Sequence, residues 1–356
     1  MAQGTFFAEI HQELNAKMAP AGKWQLPLFY PGGSVAEHRH TRSGASIFDM
    51  TGCRIFQIAG KNAPVILDKL FTLPTAALPA GGVMENVLLH ENGTFAVIFT
   101  LCRMQAEDFM LITPRGTAEK EIAYLLEKTG KELQTRELSE AMAVLTLAGK
   151  NSGGILLEAG AAALPEAGMW QMQTISDDED EKLRCIVIRH DRFGECGFDI
   201  CCSAALALEV YGALYRINGA EPAGMTAWES LRIESGTPDV PSELHGEAYP
   251  QECGLARFID FTREFTGKAG LQKADISRKL AVVKLDRHPA LPGSPVSLPG
   301  GCVAGTVSSG AFCPVAGAAQ VICTLDIDCP VPVGAQLECI AAGKSVTGTV
   351  IGEVQR

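Results

Sequence analysis

Two stretches of this chain repeat one another. RIFQIAGKNAPVILDKL (Arg54–Leu70) and AVLTLAGKNSGGILLEAG (Ala143–Gly160) share an alternating apolar run, an Ala-Gly-Lys-Asn turn and then apolar residues at helical spacing. Period-two alternation puts side chains on opposite faces of a strand, while a spacing of three to four lines one face of a helix. Two copies of strand–turn–helix predict two α+β units of similar topology, each a layer of helices on an antiparallel sheet. Neither AGK has the flanking glycines and Ser/Thr of a phosphate loop, so each is a plain βα turn.

The rest of the chain fits that plan. TAEKEIAYLLEKTG (Thr117–Gly130) predicts a helix capped by Thr117, and SAALALEVYGALYRING (Ser203–Gly219) one that starts at Ser and stops at Gly. DFMLIT (Asp108–Thr113), CIVIRH (Cys185–His190) and FDICC (Phe198–Cys202) have the character of strands. The acidic run SDDEDEK (Ser176–Lys182) is expected to be a solvated loop. After Ser277 the texture changes to short β-rich runs, among them LAVVKL (Leu280–Leu285), VICTLDI (Val321–Ile327) and LECIAAG (Leu337–Gly343), punctuated by Gly and Pro. That pattern predicts a small antiparallel barrel or sandwich. The expected class is therefore α+β: two duplicated, ferredoxin-like antiparallel-sheet units over residues 1–140 and 141–276, and a C-terminal β-barrel over 277–356.

Composition narrows the function classes. The 356 residues carry a formal net charge of −11 with 47% hydrophobic side chains, so the chain can bury a large core but has no concentrated basic face for nucleic acid. The 12 cysteines include no CxxC pair and no zinc-ligand spacing. Their scatter, as at Cys201, Cys202, Cys313, Cys323 and Cys329, predicts buried small hydrophobes in a reducing compartment. No secretory signal and no membrane-length apolar run is evident, which predicts a soluble, cytoplasmic protein without a membrane partner.

One motif carries chemistry. GECGFDI (Gly194–Ile200) precedes LRIESG (Leu231–Gly236), and it sets Glu195 in a glycine-flanked turn ahead of a strand. A carboxylate there can accept two hydrogen bonds from a planar amidine-like edge such as that of a pterin or guanine; by itself the residue also reads as a surface glutamate.

The collinear set of motifs resembles the glycine cleavage T-protein, or aminomethyltransferase, family of folate-binding proteins. KMAPAGKWQLPLFY (Lys17–Tyr30), EHRHTRSGASIFDMT (Glu37–Thr51), GECGFDI, AWESLRIESGTPDV (Ala227–Val240), YPQECGLARFI (Tyr249–Ile259), REFTGKAGL (Arg263–Leu271) and GCVAGTVSSGAFCP (Gly301–Pro314) match its signatures in order. The resemblance implies a folate-binding cavity among the domains, with tetrahydrofolate as cofactor. Residue by residue, Glu195 matches the glutamate that holds the pterin.

Other positions depart from the family. The two expected aspartate positions fall on Val97 and Ile98, which offer neither charge nor hydrogen bond, and Glu85 is a substitute candidate that also reads as a solvent-facing residue before NVLLH. TGCR (Thr51–Arg54) places Cys53 where the family has "SHMG", Thr113 replaces an Asn, and Trp228 replaces an Arg. Arg232 is kept and, with Glu234, either braces the site or forms a structural ion pair. His38 and His40 have a spacing a strand can use for metal, yet the family carries "EH" without one, so no metal is expected. SSGAF (Ser308–Phe312) resembles a cavity-closing loop, or is a hairpin turn.

The implied activity is tetrahydrofolate-dependent one-carbon transfer with the usual aspartate replaced. The donor would sit on a lipoyl carrier (an H-protein-like partner) or be a small methylated substrate, as in folate-dependent demethylases. A non-catalytic folate-binding protein is the rival; its "KGCY-GQE" motif corresponds here to TGKAGLQKA (Thr266–Ala274), which has no cysteine.

Overall fold

In the computed structural model, which describes residues 2–130, 132–175, 183–286, 288–329, 331–341 and 343–354, the chain divides into two compact units. One comprises Met1–Asp68, Pro74–Asn86 and Ile98–Trp228; the other comprises Lys69–Leu73, Val87–Val97 and Glu229–Arg356. The chain opens with β1 (Gln3–Gly4), α1 (Ala8–Glu13), β2 (Lys17–Ala21) and β3 (Trp24–Phe29), whose strands form a small sheet in the order β1-β3-β2. Helix α2 (Ser34–Ser43) and strand β4 (Ala45–Asp49) follow.

The duplicated sequence becomes duplicated topology. The first copy runs β5 (Arg54–Ala59), α3 (Ala63–Leu70), β6 (Val83–Leu89), β7 (Phe95–Gln105), β8 (Asp108–Thr113), α4 (Glu119–Thr129) and β9 (Gln134–Glu137). The second runs β10 (Met142–Ala148), α5 (Ser152–Glu158), β11 (Trp170–Ile175), β12 (Leu183–Arg189), β13 (Gly197–Ser203), α6 (Ala207–Tyr215) and β14 (Ala220–Pro222). Strand order is β6-β7-β8-β5-β9 in one sheet and β11-β12-β13-β10-β4-β14 in the other. The copies differ in one respect: β4 pairs with β10 and β14 in the second sheet, so a strand from the first fifty residues completes it.

Helix α7 (Met225–Glu234) and the single turn α8 (Lys268–Leu271) lead to β15 (Arg278–Leu285), β16 (Pro295–Ser297), β17 (Val303–Cys313), β18 (Ala318–Asp326), β19 (Gln336–Ala341) and β20 (Lys344–Glu353). These six close into a barrel in the order β15-β18-β17-β16-β19-β20. Closure pairs every strand on both sides and removes exposed edges. Val283, Leu285, Val321, Cys323 and Leu337 fill its interior.

Several local expectations need correction. SSGAF lies inside β17 and is neither a loop nor a turn; its pairing with β18 shifts register between Val307 and Ser309, a bulge that absorbs the Ser-Ser-Gly. EHRH lies on α2, where residues two apart point to different sides of the helix, so His38 and His40 do not converge. His38 is buried, and the His40 ring lies 3.1 and 2.9 Å from the carbonyl oxygens of Ala45 and Gly219. Thr117 does not cap α4: Ala118 occupies that position, and the Thr117 hydroxyl donates to the Pro114 carbonyl at 2.9 Å. Cys329 is only half-buried, while Cys201, Cys202, Cys313 and Cys323 are buried as expected. The acidic run 176–182 lies outside the described residues.

Candidate functional site

Strand alternation decides which side chains leave the core. On β13, Phe198, Ile200 and Cys202 join an apolar cluster with Ile155 and Leu156 of α5 and Val210 and Leu214 of α6. Asp199, between Phe198 and Ile200, therefore points to the opposite face of the sheet. The same argument applies to Thr146, between the core residues Leu145 and Leu147 on β10. The register sets Phe48 of β4 opposite Thr146, and Thr146 opposite Asp199, so the three form one row across the face opposite that apolar cluster.

Asp199 is the centre of a buried polar cluster. Its Oδ1 accepts a hydrogen bond from Thr146 Oγ1 at 2.6 Å; its Oδ2 accepts from Arg192 at 2.7 Å and lies 2.9 Å from His190 Nδ1. Burial opposes ionisation, but Arg192 and His190 outweigh it and hold the carboxyl well below the usual range. The other face of His190 meets Glu85 of β6, with Nε2 3.4 Å from Oε1. Burial and Arg192 push against a charge on this imidazole, yet Asp199 and Glu85 prevail and its pKa is raised. His190 thus bridges two carboxylates from two different sheets through opposite ring nitrogens.

Beside this cluster stands Trp228. Its ring meets Phe193 at 4.8 Å and Phe48 at 5.3 Å between centroids, both edge-on. The guanidinium carbons of Arg115 and Arg192 lie 5.5 and 5.7 Å from the indole centroid. A tight turn delivers Arg192: Arg192 N–H donates to Glu195 O at 2.9 Å and Glu195 N–H to Arg192 O at 2.7 Å, with φ of 57° at Phe193 and 76° at Gly194. Positive φ at both central residues is the type I′ pattern, which costs a non-glycine residue about 1 kcal/mol or more. Here packing of the Phe193 ring on Trp228 and Phe48 accompanies that strain. Arg115 is fixed by a 2.9 Å bond to the Asp49 carbonyl. Cys53 is close enough to feel these charges; burial raises its thiol to about 11, opposed by Arg115 and Arg192 and assisted by Asp199. Among the described residues, the buried Arg192 Nε and Thr113 Oγ1 have no hydrogen-bond partner.

The expected site residues are distributed unevenly around this cluster. Trp228 and Cys53 join it, and Glu85 joins it from within β6 rather than from the solvent-facing position before a strand. Glu195 lies in the turn, where its carboxylate accepts from Arg42 at 3.1 Å and is a quarter exposed. Val97 and Ile98 are buried in β7 without an ionisable group. Arg232 belongs to the other compact unit, where Glu229, Glu243 and Ser309 take up its guanidinium. It does not pair with Glu234, whose carboxylate accepts from the Ala316 amide. Sequence reasoning missed Asp199, His190, Arg192 and Arg115. The alternation of GFDIC was a usable signal for Asp199; nothing local marks the other three. Among the described residues no group of three His, Cys, Asp or Glu side chains converges as a metal site requires, and no helix is long and apolar enough to cross a membrane.

Residues 7–263 match the family model described as the GCVT N-terminal domain. The chain belongs to this family. It is 28% identical over 355 residues to an aminomethyltransferase of Saccharopolyspora erythraea, covering 96% of this chain and 95% of that one. An aminomethyltransferase of Rubrobacter xylanophilus is 29% identical over 319 residues, covering 87% and 84%. The crystal structure of the glycine cleavage system aminomethyltransferase T from Bartonella henselae superposes with a TM-score of 0.87 over 99% of this chain and 97% of that one, at 24% identity. That likeness establishes the fold: a glycine cleavage T-protein architecture of α+β sheets and a C-terminal closed barrel.

Proposed function

We propose that this chain is a tetrahydrofolate-dependent one-carbon transferase of the aminomethyltransferase type. The observation that carries the reading is the indole of Trp228, braced by Phe48 and Phe193, flanked by Arg115 and Arg192 and set beside the Asp199 carboxylate. A pterin is planar, aromatic and rich in donors and acceptors, so an aromatic wall beside carboxylates suits it. Buried donors without partners at Arg192 Nε and Thr113 Oγ1 would be satisfied by ligand heteroatoms. When bound, tetrahydrofolate supplies the N5 and N10 nitrogens that accept the one-carbon unit.

Within this reading Glu195 receives the pterin edge and shares its carboxylate with Arg42, while Trp228, Thr113 and Cys53 line the site. Arg232 holds the framework of its own unit. The donor is either an aminomethyl group on a lipoyl carrier or a small methylated compound. The two guanidiniums at Trp228 favour the second: they suit a small donor bearing a carboxylate.

Calorimetric titration of tetrahydrofolate into the full chain tests this. The expected Kd is on the order of micromolar, equivalent to about −8 kcal/mol, and weakens about tenfold in Glu195→Ala and in Trp228→Ala. Absence of binding to the unaltered chain ends the reading. Little turnover is expected with a lipoylated carrier; a rate matching ordinary aminomethyltransferases would show that an acid at residues 97–98 is dispensable.

A further inference from the structure

We infer that Glu85 and His190 form the acid–base couple of this site, with Asp199 as the group that orients it. The inference rests on the folate reading above and adds to it the groups that handle the proton. Three observations converge. Asp199 accepts from Thr146, Arg192 and His190 at 2.6, 2.7 and 2.9 Å, so its lone pairs are engaged and its charge is fixed. It therefore sets the His190 tautomer, with the proton on Nδ1, and leaves Nε2 as the nitrogen that exchanges. That Nε2 faces Glu85 Oε1 at 3.4 Å, longer than the Asp199 contact and loose enough for a third group to compete for the proton.

The surroundings fit a proton-handling role better than a framework one. Glu85 and His190 keep 20% and 13% of their side-chain surface exposed, whereas Asp199 keeps 7%, so the exchanging end of the couple is the end in reach of a ligand. The charged and titratable groups around the imidazole are Glu85 from β6, Asp199 from β13 and Arg192 from the turn before β13; Cys53 and Cys102, which feel Asp199, are thiols raised by burial and stay neutral. Two carboxylates against one guanidinium favour the imidazolium. A protonated Nε2 donates to a basic nitrogen of the bound reduced folate or of the donor amine. With the folate bound, the donor carbon would bond to a folate nitrogen as the donor carbon–nitrogen bond breaks; that bond's electron pair stays on the departing nitrogen, which takes the His190 proton, and the proton displaced from the folate nitrogen returns through Glu85 to Nε2.

Proton-linked binding tests the couple with tetrahydrofolate as the probe. Titrations of the full chain at a pH above the His190 pKa, in buffers of different ionisation enthalpy, are expected to show net proton uptake, with Kd weakening by up to about tenfold per pH unit in that range. His190→Gln should still bind tetrahydrofolate but with no proton uptake and a flat pH profile; a purely structural role would change affinity alone. Glu85→Gln, the milder variant, should lower the His190 pKa read by imidazole nitrogen NMR in the unliganded chain. Proton uptake unchanged in His190→Gln, or a His190 titration indifferent to Glu85→Gln, overturns the couple while leaving folate binding intact. A chain that binds no tetrahydrofolate removes the parent reading and this one together.

Discussion

Replacing Asp199 by Ala should cost the first compact unit about 4 kcal/mol. The carboxylate is buried and accepts three hydrogen bonds, one from an always-charged guanidinium and one from an imidazole it helps to charge. Removing one member of such a buried pair leaves the other charge uncompensated, typically at about 3–5 kcal/mol. Over a unit of this size that corresponds to a fall in melting temperature of about 10 °C. Asp199→Asn keeps shape and acceptor capacity toward Thr146 but loses the charge, and about half the effect is expected. Two titrations give the parent its pH profile. Asp199 has a depressed folded pKa, so its contribution is present above about pH 4 and is lost as pH falls through the lower folded value. His190 runs the other way: its contribution is complete below about pH 6.5 and is lost as pH rises through the raised folded value. Urea unfolding followed by tryptophan fluorescence from about pH 2 to 9 measures the alkaline limb and the onset of the acid limb, and both should flatten in Asp199→Asn. A loss under about 1 kcal/mol in the alanine variant, with the alkaline limb unchanged, would refute the argument that this cluster is charged and desolvated.

Two further outcomes follow from the same physics. In the second unit, Arg232→Met strands Glu243, whose pKa burial already raises against the pull of Arg232, and should cost about 3–5 kcal/mol by urea unfolding. Adding Glu243→Leu should recover most of that loss, and a double variant no better than the single would contradict it. Among the thiols, exposed Cys302 should react first with iodoacetamide at pH 8, while half-buried Cys53, raised to about 11, holds only about one thiolate per thousand and should lag far behind by mass spectrometry of labelled peptides.

Legibility in the sequence followed the range of the interactions. The AGKN echo exposed the duplication because strand alternation, glycine turn and helix spacing are local properties, and both copies then took the same order over their first four strands, with β4 inserted only in the second. The barrel was legible for the same reason. EHRH misled because a short polar stretch carries no period; it is helical because α2 packs His38 inward. SSGAF misled because its serines and glycine favour turns, while pairing with β18 holds them extended. The GECGFDI motif drew attention to Glu195, the residue its glycines display, although the alternation of its last residues turns Asp199 away from the core.

The amino-acid order alone determined the class of fold, the duplication, the barrel and the family, since each is written in periodicities and motifs spanning tens of residues. Only tertiary structure decided where the charge lies. Glu85, His190, Arg115, Asp199 and Trp228 come from separate strands, turns and a helix, and none has a neighbour in sequence that announces its partner. Their meeting depends on strand register, because shifting a strand by one residue would exchange the Asp199 face for the Phe198 face and bury the carboxylate in an apolar core.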